Sequence, residues 1–204
     1  MKNKKQYIII SIILGIFITS QAQKKYVTPQ ELARDSYALA KMVFEDNFIP
    51  TALITLWRGG APIGIRISEY FRRKKIYIPK DIPLTVSAYN HDQLKKNVFV
   101  GNLTSVTEAL KGSERLLLVD DIIDTGSSLV TLLDEIKNQC GQNTPKDIRI
   151  ATVYYKPKGL KKIPHHVYSL HEAKQWIVFP HELEGLSDDE IKQSKGNKIA
   201  EIIS

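Results

Sequence analysis

One apolar run that ends in acids and a small-residue turn constrains the fold of this chain more than any other feature. Residues 116–129 read LLLVDDIIDTGSSL. The first four are apolar, as in a strand of a parallel sheet that is covered on both faces, and a helix is predicted to begin near Leu129. A turn of Gly and hydroxyl residues at a helix N-terminus points backbone N–H groups outward and binds phosphate. The segment therefore predicts a strand–loop–helix unit that binds a phosphorylated ligand.

The rest of the chain alternates short apolar segments with helical patterns. Thr28 and Glu31 form a capping box that would begin the first helix, which runs to about Asn47. Further helices are predicted from about Pro62 to Arg72 and after Leu129. Strands alternating with helices indicate an α/β fold with a central, mainly parallel sheet flanked by helices. The predicted strands are 51–56, 84–89, 116–119 and 148–155, and a polar stretch, 90–113, follows the second of them.

Composition narrows the class of ligand. A chain of 204 residues suits one domain with a proper core. Its single cysteine, Cys140, excludes an internal disulfide. The net charge is +7, but the basic residues are scattered and no nucleic-acid-binding motif is present. We therefore expect an anionic small molecule, and no nucleic acid, as the partner of this basic surface.

The N-terminal residues 1–22 have the layout of a secretory signal peptide. Lys2, Lys4 and Lys5 precede an apolar run, 7–19, and small residues follow at 20–22. The run is short for a membrane span. A cleaved signal, an uncleaved anchor and a mis-assigned start codon all remain open. We divide the chain into a signal-like segment at 1–25, a main domain at 26–186 and a tail at 187–204, whose start Ser187–Glu190 predicts a capped helix.

The order of two acids, two apolar residues and Asp-Thr-Gly after a strand closely resembles the phosphoribosyl-pyrophosphate (PRPP) motif of type I phosphoribosyltransferases. A generic α/β domain whose acid pair merely ends a strand is the plainer interpretation, although it gives no reason for the Thr-Gly-Ser-Ser turn. Further segments resemble the xanthine–guanine and hypoxanthine enzymes of this family, in family order. They are 58–60 (RGG), 87–89 (SAY), 153–157 (VYYKP) and 175–182 (QWIVFPHE).

The resemblance implies transfer of 5-phosphoribose from PRPP to a 6-oxopurine, with release of pyrophosphate, in purine salvage. Asp124 would be the catalytic base that takes the proton from the purine imidazole. Asp120 and Asp121 would hold the ribose diol, and Asp121 and Glu182 would hold Mg²⁺. The 5′-phosphate would be bound by the loop residues Thr125, Gly126, Ser127 and Ser128.

The resemblance also assigns the pyrophosphate end of the site. Arg58, Gly59 and Gly60 would bind pyrophosphate after a peptide bond, 57–58, that is commonly cis in this family. Ser87 and Tyr89 would begin a mobile lid that closes over pyrophosphate and excludes water.

The base would be bound by three other residues. Lys156, at the carboxyl end of a strand, would donate to the 6-oxo oxygen of the purine, Trp176 would stack on the base, and Ile177 would offer backbone groups to its edge. The segments around Trp176 would form a small hood over the sheet. The five histidines lack the spacing of metal ligands, and none is assigned a role.

Two other functions stay open, and the oligomeric state and the cellular location of the chain are also predicted. The alternatives are a PRPP-sensing regulatory protein and a phosphoribosyltransferase for another base such as a pyrimidine. We expect a homo-oligomer, either a dimer or a tetramer. Because PRPP is a cytoplasmic metabolite, the substrate favours the cytoplasm, whereas residues 1–22 suggest export or membrane anchoring.

Overall fold

The computed structural model describes residues 23–92, 95–101 and 103–203, with only the backbone path over 87–100. Two sheets and a set of helices are formed by these residues. The strands are β1 (Lys24–Tyr26), β2 (Ala52–Trp57), β3 (Lys80–Asp92), β4 (Lys95–Val100), β5 (Arg115–Ile123), β6 (Asp147–Tyr155), β7 (His166–Glu172) and β8 (Trp176–Val178). The helices are α1 (Pro29–Glu45), α2 (Ala61–Arg73), α3 (Leu103–Leu110), α4 (Ser127–Cys140), α5 (Pro157–Leu160), α6 (Asp188–Lys195) and α7 (Asn197–Ile203).

The main sheet has the strand order β4-β3-β2-β5-β6-β7. The five strands from β3 to β7 in this order pair in parallel, and β4 is antiparallel at one edge. This arrangement confirms the predicted α/β fold with a mainly parallel sheet. A small second sheet, in which β1 pairs in parallel with β8, forms the predicted hood.

The central strand β5 is buried on both faces, as its apolar run predicts. Leu116, Leu117, Leu118 and Val119 are fully buried. Since side chains alternate along a strand, Leu117 and Val119 pack on the side of α1 and α2, while Leu116 and Leu118 pack on the side of α3 and α4. The carboxyl end of β5 is thereby fixed from both sides, and it is the end that carries the acids.

In the stretch 90–113 the described residues form a strand pair and a helix, although the composition of the stretch is polar. β3 continues to Asp92, and β4 returns beside it with Tyr89 opposite Asn97. A connection this short permits only antiparallel pairing, which explains the one antiparallel strand of the sheet. In α3 the apolar residues Leu103, Val106 and Leu110 are buried, so the helical spacing in this stretch was a signal that the sequence analysis missed.

The C-terminal residues fold back on the hood. Ser187 and Glu190 form a capping box at the start of α6. One Glu190 carboxylate oxygen accepts hydrogen bonds from the Lys24 ammonium and from the Tyr26 hydroxyl of β1, both at 2.7 Å. The Lys195 ammonium donates to the Phe179 carbonyl oxygen, at 2.6 Å, just after β8. The tail is therefore attached to both strands of the hood.

Residues 1–22 of the predicted signal-like segment lie outside the described residues. β1 spans the boundary that we placed between residues 25 and 26. The division at 1–25, 26–186 and 187–204 stays a prediction. Among the helices of the described ranges, none is both long enough and apolar enough to cross a membrane.

The attachment of the tail predicts a pH-dependent stability. The hydrogen bond from Lys24, with those from the Ser187 backbone N–H and Tyr26, lowers the pKa of Glu190 to about 2. An unfolded glutamate has a pKa of about 4.3, so this contribution is complete above that pH and is lost as pH falls toward 2. We expect Glu190→Gln to lower the melting temperature at pH 7, and the difference from the parent chain to shrink between about pH 4.3 and 2.

Thermal denaturation followed by circular dichroism over this pH range checks the expectation. Glu201→Gln, at an exposed position of α7, is the matched control and should change little at any pH. A Glu190→Gln difference that is independent of pH would contradict the proposed contacts.

Candidate active site

The loops at the carboxyl ends of the parallel strands meet at one edge of the main sheet. β2 ends before Arg58, β5 ends before Asp124, and β6 ends before Lys156. The carboxyl ends of neighbouring parallel strands share an edge, and α/β sheets bind their ligands there. The hood segment after β8 covers this edge, and the two parts enclose adjoining cavities.

Two of these cavities contain most of the predicted site residues. The Trp176 cavity has a volume of about 540 Å³ and is lined by Ile122, Asp124, Lys156, Trp176, Ile177, Phe179 and Glu182. The Gly59 cavity, of about 180 Å³, is lined by Leu56, Trp57, Arg58, Gly59, Val86, Asp120, Asp121, Ser128, His181 and Glu182. Glu182 lines both, so the two cavities are neighbours.

The Trp176 cavity combines apolar surfaces with one ion pair. The Lys156 ammonium lies 2.6 Å from a carboxylate oxygen of Asp124, and both side chains are partly exposed to the cavity. The Trp176 side chain is 55% exposed, whereas Ile177 and Phe179 are buried behind it. The structure therefore brings together the residues that we predicted around the base, and adds an ion pair between two of them. A slot of this kind suits a flat heterocycle with polar edges.

In the Gly59 cavity, two glycines allow a backbone loop to approach the acids at the end of β5. Asp121 is only 8% exposed, and a Cβ atom at Gly59 would overlap its carboxylate. A Cβ atom at Gly60 would overlap the carbonyl oxygen of Val119 on β5. The peptide bond between Trp57 and Arg58 is cis, as the resemblance implied. Only glycine at both positions lets this loop lie against the end of β5.

The two adjacent acids of β5, Asp120 and Asp121, repel each other when both carboxyl groups are ionised. Burial of the carboxyl group raises the pKa of Asp120 well above its usual range, and the neighbouring Asp121 carboxylate raises it further. The backbone N–H of Asp121 donates to Asp120 Oδ1 at 3.0 Å, which opposes this effect. A cation or a pair of hydroxyl donors bound here would relieve the repulsion.

The loop between β5 and α4 has the geometry of a phosphate site. Its N-cap residue is Gly126, at φ +74°, so the first N–H groups of α4 have no capping side chain from that position. A Cβ atom at Gly126 would lie 2.6 Å from the Gly159 carbonyl oxygen. The Thr125 and Ser127 hydroxyl oxygens are 3.2 Å apart at the loop, and Ser128 reaches the Gly59 cavity. N–H groups and hydroxyls together match an anionic ligand.

His181 is a site residue that the sequence analysis missed. Its Nε2 lies 3.3 Å from Asp121 Oδ2, and its ring stacks on Phe179 with centroids 5.4 Å apart and planes 9° apart. Asp121, His181 and Glu182 each offer a ligand atom, and these atoms lie within 4.8 Å of one another. Spacing along the chain does not reveal this group, because Asp121 is distant in sequence. The position of His181 next to Glu182 was the available signal.

Comparison with known proteins identifies the family of this site. The family model for the phosphoribosyl transferase domain matches residues 22–187. The chain belongs to the phosphoribosyltransferase family. No curated protein gives a significant match.

Solved structures share the fold of this phosphoribosyltransferase. The purine phosphoribosyltransferase of Pyrococcus horikoshii is 25% identical, with a TM-score of 0.62, over 80% of this chain and 97% of that one. The xanthine-guanine-hypoxanthine phosphoribosyltransferase of Helicobacter pylori is 20% identical, with a TM-score of 0.65, over 86% and 100%. A hypothetical protein from Neisseria gonorrhoeae with bound ppGpp is 22% identical, with a TM-score of 0.66, over 90% and 99%.

The predicted lid residues lie on an ordered strand of this phosphoribosyltransferase. Ser87 and Tyr89 belong to β3, where they pair with Phe99 and Asn97 of β4. Their side chains are outside the described part of the chain. The preceding residue, Val86, lines the Gly59 cavity, so the hairpin begins at the site. The lid hypothesis stays a prediction.

The contact between Gly59 and Asp121 predicts the effect of one added methyl group. Gly59→Ala should displace the Asp121 carboxylate, at a cost of about 1–3 kcal/mol, which is typical of overpacking a close contact. We expect PRPP affinity, measured by isothermal titration calorimetry, to fall by about tenfold or more. Thermal denaturation shows whether the variant keeps its fold. A folded variant with unchanged PRPP affinity would show that this approach does not shape the PRPP site.

Proposed function

We propose that this phosphoribosyltransferase transfers 5-phosphoribose from PRPP to a 6-oxopurine (xanthine, guanine or hypoxanthine) and releases pyrophosphate, in purine salvage. The observation that carries the proposal is the Lys156–Asp124 ion pair in a cavity that adjoins the acids of β5 and the glycine loop. Purine enzymes of this family share the fold, which supports the choice of a purine.

The ion pair offers a donor and an acceptor side by side. A 6-oxopurine carries the 6-oxo oxygen, an acceptor, next to the N7–H group, a donor, on one edge. Lys156 would donate to the oxygen and Asp124 would accept from N7–H, while Trp176 stacks on the ring. The 6-amino group of adenine would instead meet the Lys156 ammonium, donor against donor. This edge is the physical reason to prefer a 6-oxopurine over adenine.

The acids and the loops would hold PRPP on the other side of the base. Asp120 and Asp121 would accept hydrogen bonds from the two ribose hydroxyls. The 5′-phosphate would lie on the loop before α4, at Thr125, Gly126, Ser127 and Ser128. Pyrophosphate would lie on the N–H group of Gly59 and against Arg58, while the Gly60 N–H closes the turn by donating to the Leu56 carbonyl oxygen. Ser87 and Tyr89 would cover it from the β3–β4 hairpin.

In the reaction the purine nitrogen forms a bond to C1′ of the ribose, and the bond from C1′ to the pyrophosphate oxygen breaks. Pyrophosphate leaves with the electron pair, and the proton from the purine imidazole passes to Asp124. The Lys156 ammonium, 2.6 Å from Asp124, stabilises negative charge that develops on the 6-oxo oxygen. The hood keeps water away from the reacting carbon.

The donor set at Asp121 and Glu182 fits Mg²⁺. The two carboxylates belong to one group of ligand atoms within 4.8 Å, and Mg²⁺ prefers carboxylate oxygens and retained waters. When bound, the ion would neutralise charge on pyrophosphate. Glu182 is held in place because its Oε2 accepts a hydrogen bond from the Phe179 backbone N–H at 2.9 Å.

We also propose that the chain acts in the cytoplasm, where PRPP is available.

We further propose that the chain forms a homo-oligomer, either a dimer or a tetramer. An exposed groove beside Arg58 supports this oligomer, since Tyr37, Trp57 and Ile65 are exposed there. Light scattering after gel filtration checks the oligomeric state.

A product assay tests the function. The purified chain is incubated with PRPP, Mg²⁺ and xanthine, guanine, hypoxanthine, adenine or uracil, and nucleotides are separated by chromatography. We expect a nucleotide product with at least one 6-oxopurine. PRPP binding without turnover would favour a PRPP-sensing regulator. Turnover of adenine or uracil alone would overturn the assignment of the base.

Removing the catalytic base should slow turnover selectively. We expect Asp124→Asn to reduce kcat by about 10²–10⁴-fold, the usual contribution of a general base, while PRPP affinity is largely kept. Steady-state kinetics and PRPP titration measure the two effects. Asp134→Asn, an exposed position on α4, is the control. Near-parental turnover in Asp124→Asn would remove this residue from the mechanism.

Removing the lysine should weaken recognition of the base. Lys156→Ala should cost about 1.5 kcal/mol in 6-oxopurine affinity, the low end for a charged hydrogen bond, because the side chain is 41% exposed. Competition binding should show about a tenfold loss for the 6-oxopurine and a smaller change for adenine. Lys158→Ala, an exposed lysine of α5, is the control. Equal losses for both bases would place the 6-oxo contact elsewhere.

A further inference from the structure

We propose that His181 is a metal ligand, so that Asp121, His181 and Glu182 form a mixed nitrogen–oxygen site which binds Mn²⁺ or Co²⁺ through the imidazole. The use of such a metal in phosphoribosyl transfer rests on the proposed function, but the ligand set does not. The carboxylates alone would favour Mg²⁺, whereas imidazole favours transition metals.

The spacing of the ligand atoms carries the inference. His181 Nε2 and Asp121 Oδ2 are 3.3 Å apart. Two ligands about 2.1 Å from one ion are separated by about 3.0–3.4 Å at octahedral or tetrahedral angles. A ligand atom of Glu182 lies within 4.8 Å of the other two, which puts it within reach of the same ion.

The three side chains are held in these positions by their surroundings. The His181 ring lies flat against Phe179, and the backbone N–H of Phe179 fixes one oxygen of Glu182. The Phe179 carbonyl oxygen in turn accepts from Lys195 of α6. Asp121 is confined by the backbone of Gly59. A site held this firmly before binding loses little entropy when a metal enters.

A plain hydrogen bond between imidazole and carboxylate is the competing explanation, and the chain contains one for comparison. His171 Nε2 lies 2.9 Å from Asp35 Oδ2, but this pair belongs to no three-ligand group among the described residues. Across the described residues, only Asp121, His181 and Glu182 form a three-ligand group of this kind. The two histidine–aspartate pairs therefore differ in the feature that a metal needs.

Direct detection of the ligand tests the proposal without turnover. The full chain, free of any affinity tag, is loaded with Mn²⁺ in the absence of PRPP and purine, and pulsed electron paramagnetic resonance measures coupling to ¹⁴N. We expect a coupling typical of a directly bound imidazole. Calorimetry with Mn²⁺, Co²⁺ and Mg²⁺ is then run on the parent chain, on His181→Gln and on the control His171→Gln.

His181→Gln should lose the ¹⁴N coupling and bind Co²⁺ about tenfold or more weakly, since removing even an outer-sphere partner of a metal costs about 10–100-fold in affinity. Its Mg²⁺ affinity should change less, and His171→Gln should resemble the parent chain in every measurement. A parent chain that binds Mn²⁺ without ¹⁴N coupling would overturn the proposal, whether or not His181→Gln folds. So would a coupling that persists in folded His181→Gln.

The product assay separates this inference from the proposed function. Nitrogen coupling in a chain that transfers phosphoribose to no base would support the metal site and refute the function. Transfer supported by Mg²⁺, with no nitrogen coupling to Mn²⁺, would refute the metal ligand and leave the function intact.

Discussion

The site depends on the close approach of one backbone loop to one buried carboxylate. Gly59 lies where a single Cβ atom would overlap Asp121, and Gly60 lies equally close to the Val119 carbonyl oxygen. β2 and β5 are neighbours in register, with Thr55 opposite Val119, so the loop after β2 and the acids at the end of β5 are positioned by the same ladder. Burial of β5 on both faces makes that ladder rigid. The separation between the glycine loop and the acids is therefore set by the core of the fold.

The negative charge of the acids at this edge of the sheet determines which ligands the site suits. The raised pKa of Asp120 reflects the cost of burying a carboxyl group beside Asp121. Positive groups surround this centre, with Arg58 in the glycine loop and Lys156 paired to Asp124. Such a site binds ligands that carry both hydroxyl donors and anionic groups, or a cation with an anion. PRPP has this combination, which is why the family and the electrostatics of the site support the same substrate.

The parts of the site that are local in sequence were predictable, and those that depend on distant contacts were not. Asp120 to Ser128 form one strand–loop–helix unit, and Arg58 and Lys156 each follow a strand of the same parallel sheet, so a shared edge could be expected. The Lys156–Asp124 ion pair and the contact of His181 with Asp121 depend on how the hood and the loops pack, which no periodicity encodes. β1 and β8 are three residues each, too short for a strand pattern to stand out.

The surface that we propose for the base is shaped by both ends of the described chain as well as by the PRPP motif. Trp176 pairs with Lys24 in the hood sheet, and the Lys24 ammonium lies 5.8 Å from the indole centroid. Lys24 is in turn held by Glu190 of α6, and Lys195 of the same helix holds the carbonyl of Phe179. The β8 side of the Trp176 cavity is thus supported by β1 and α6, neither of which contains the PRPP motif. In the proposed function the sheet and its loops would hold the sugar phosphate, while the hood and the tail would shape the space for the base beside the Lys156–Asp124 pair.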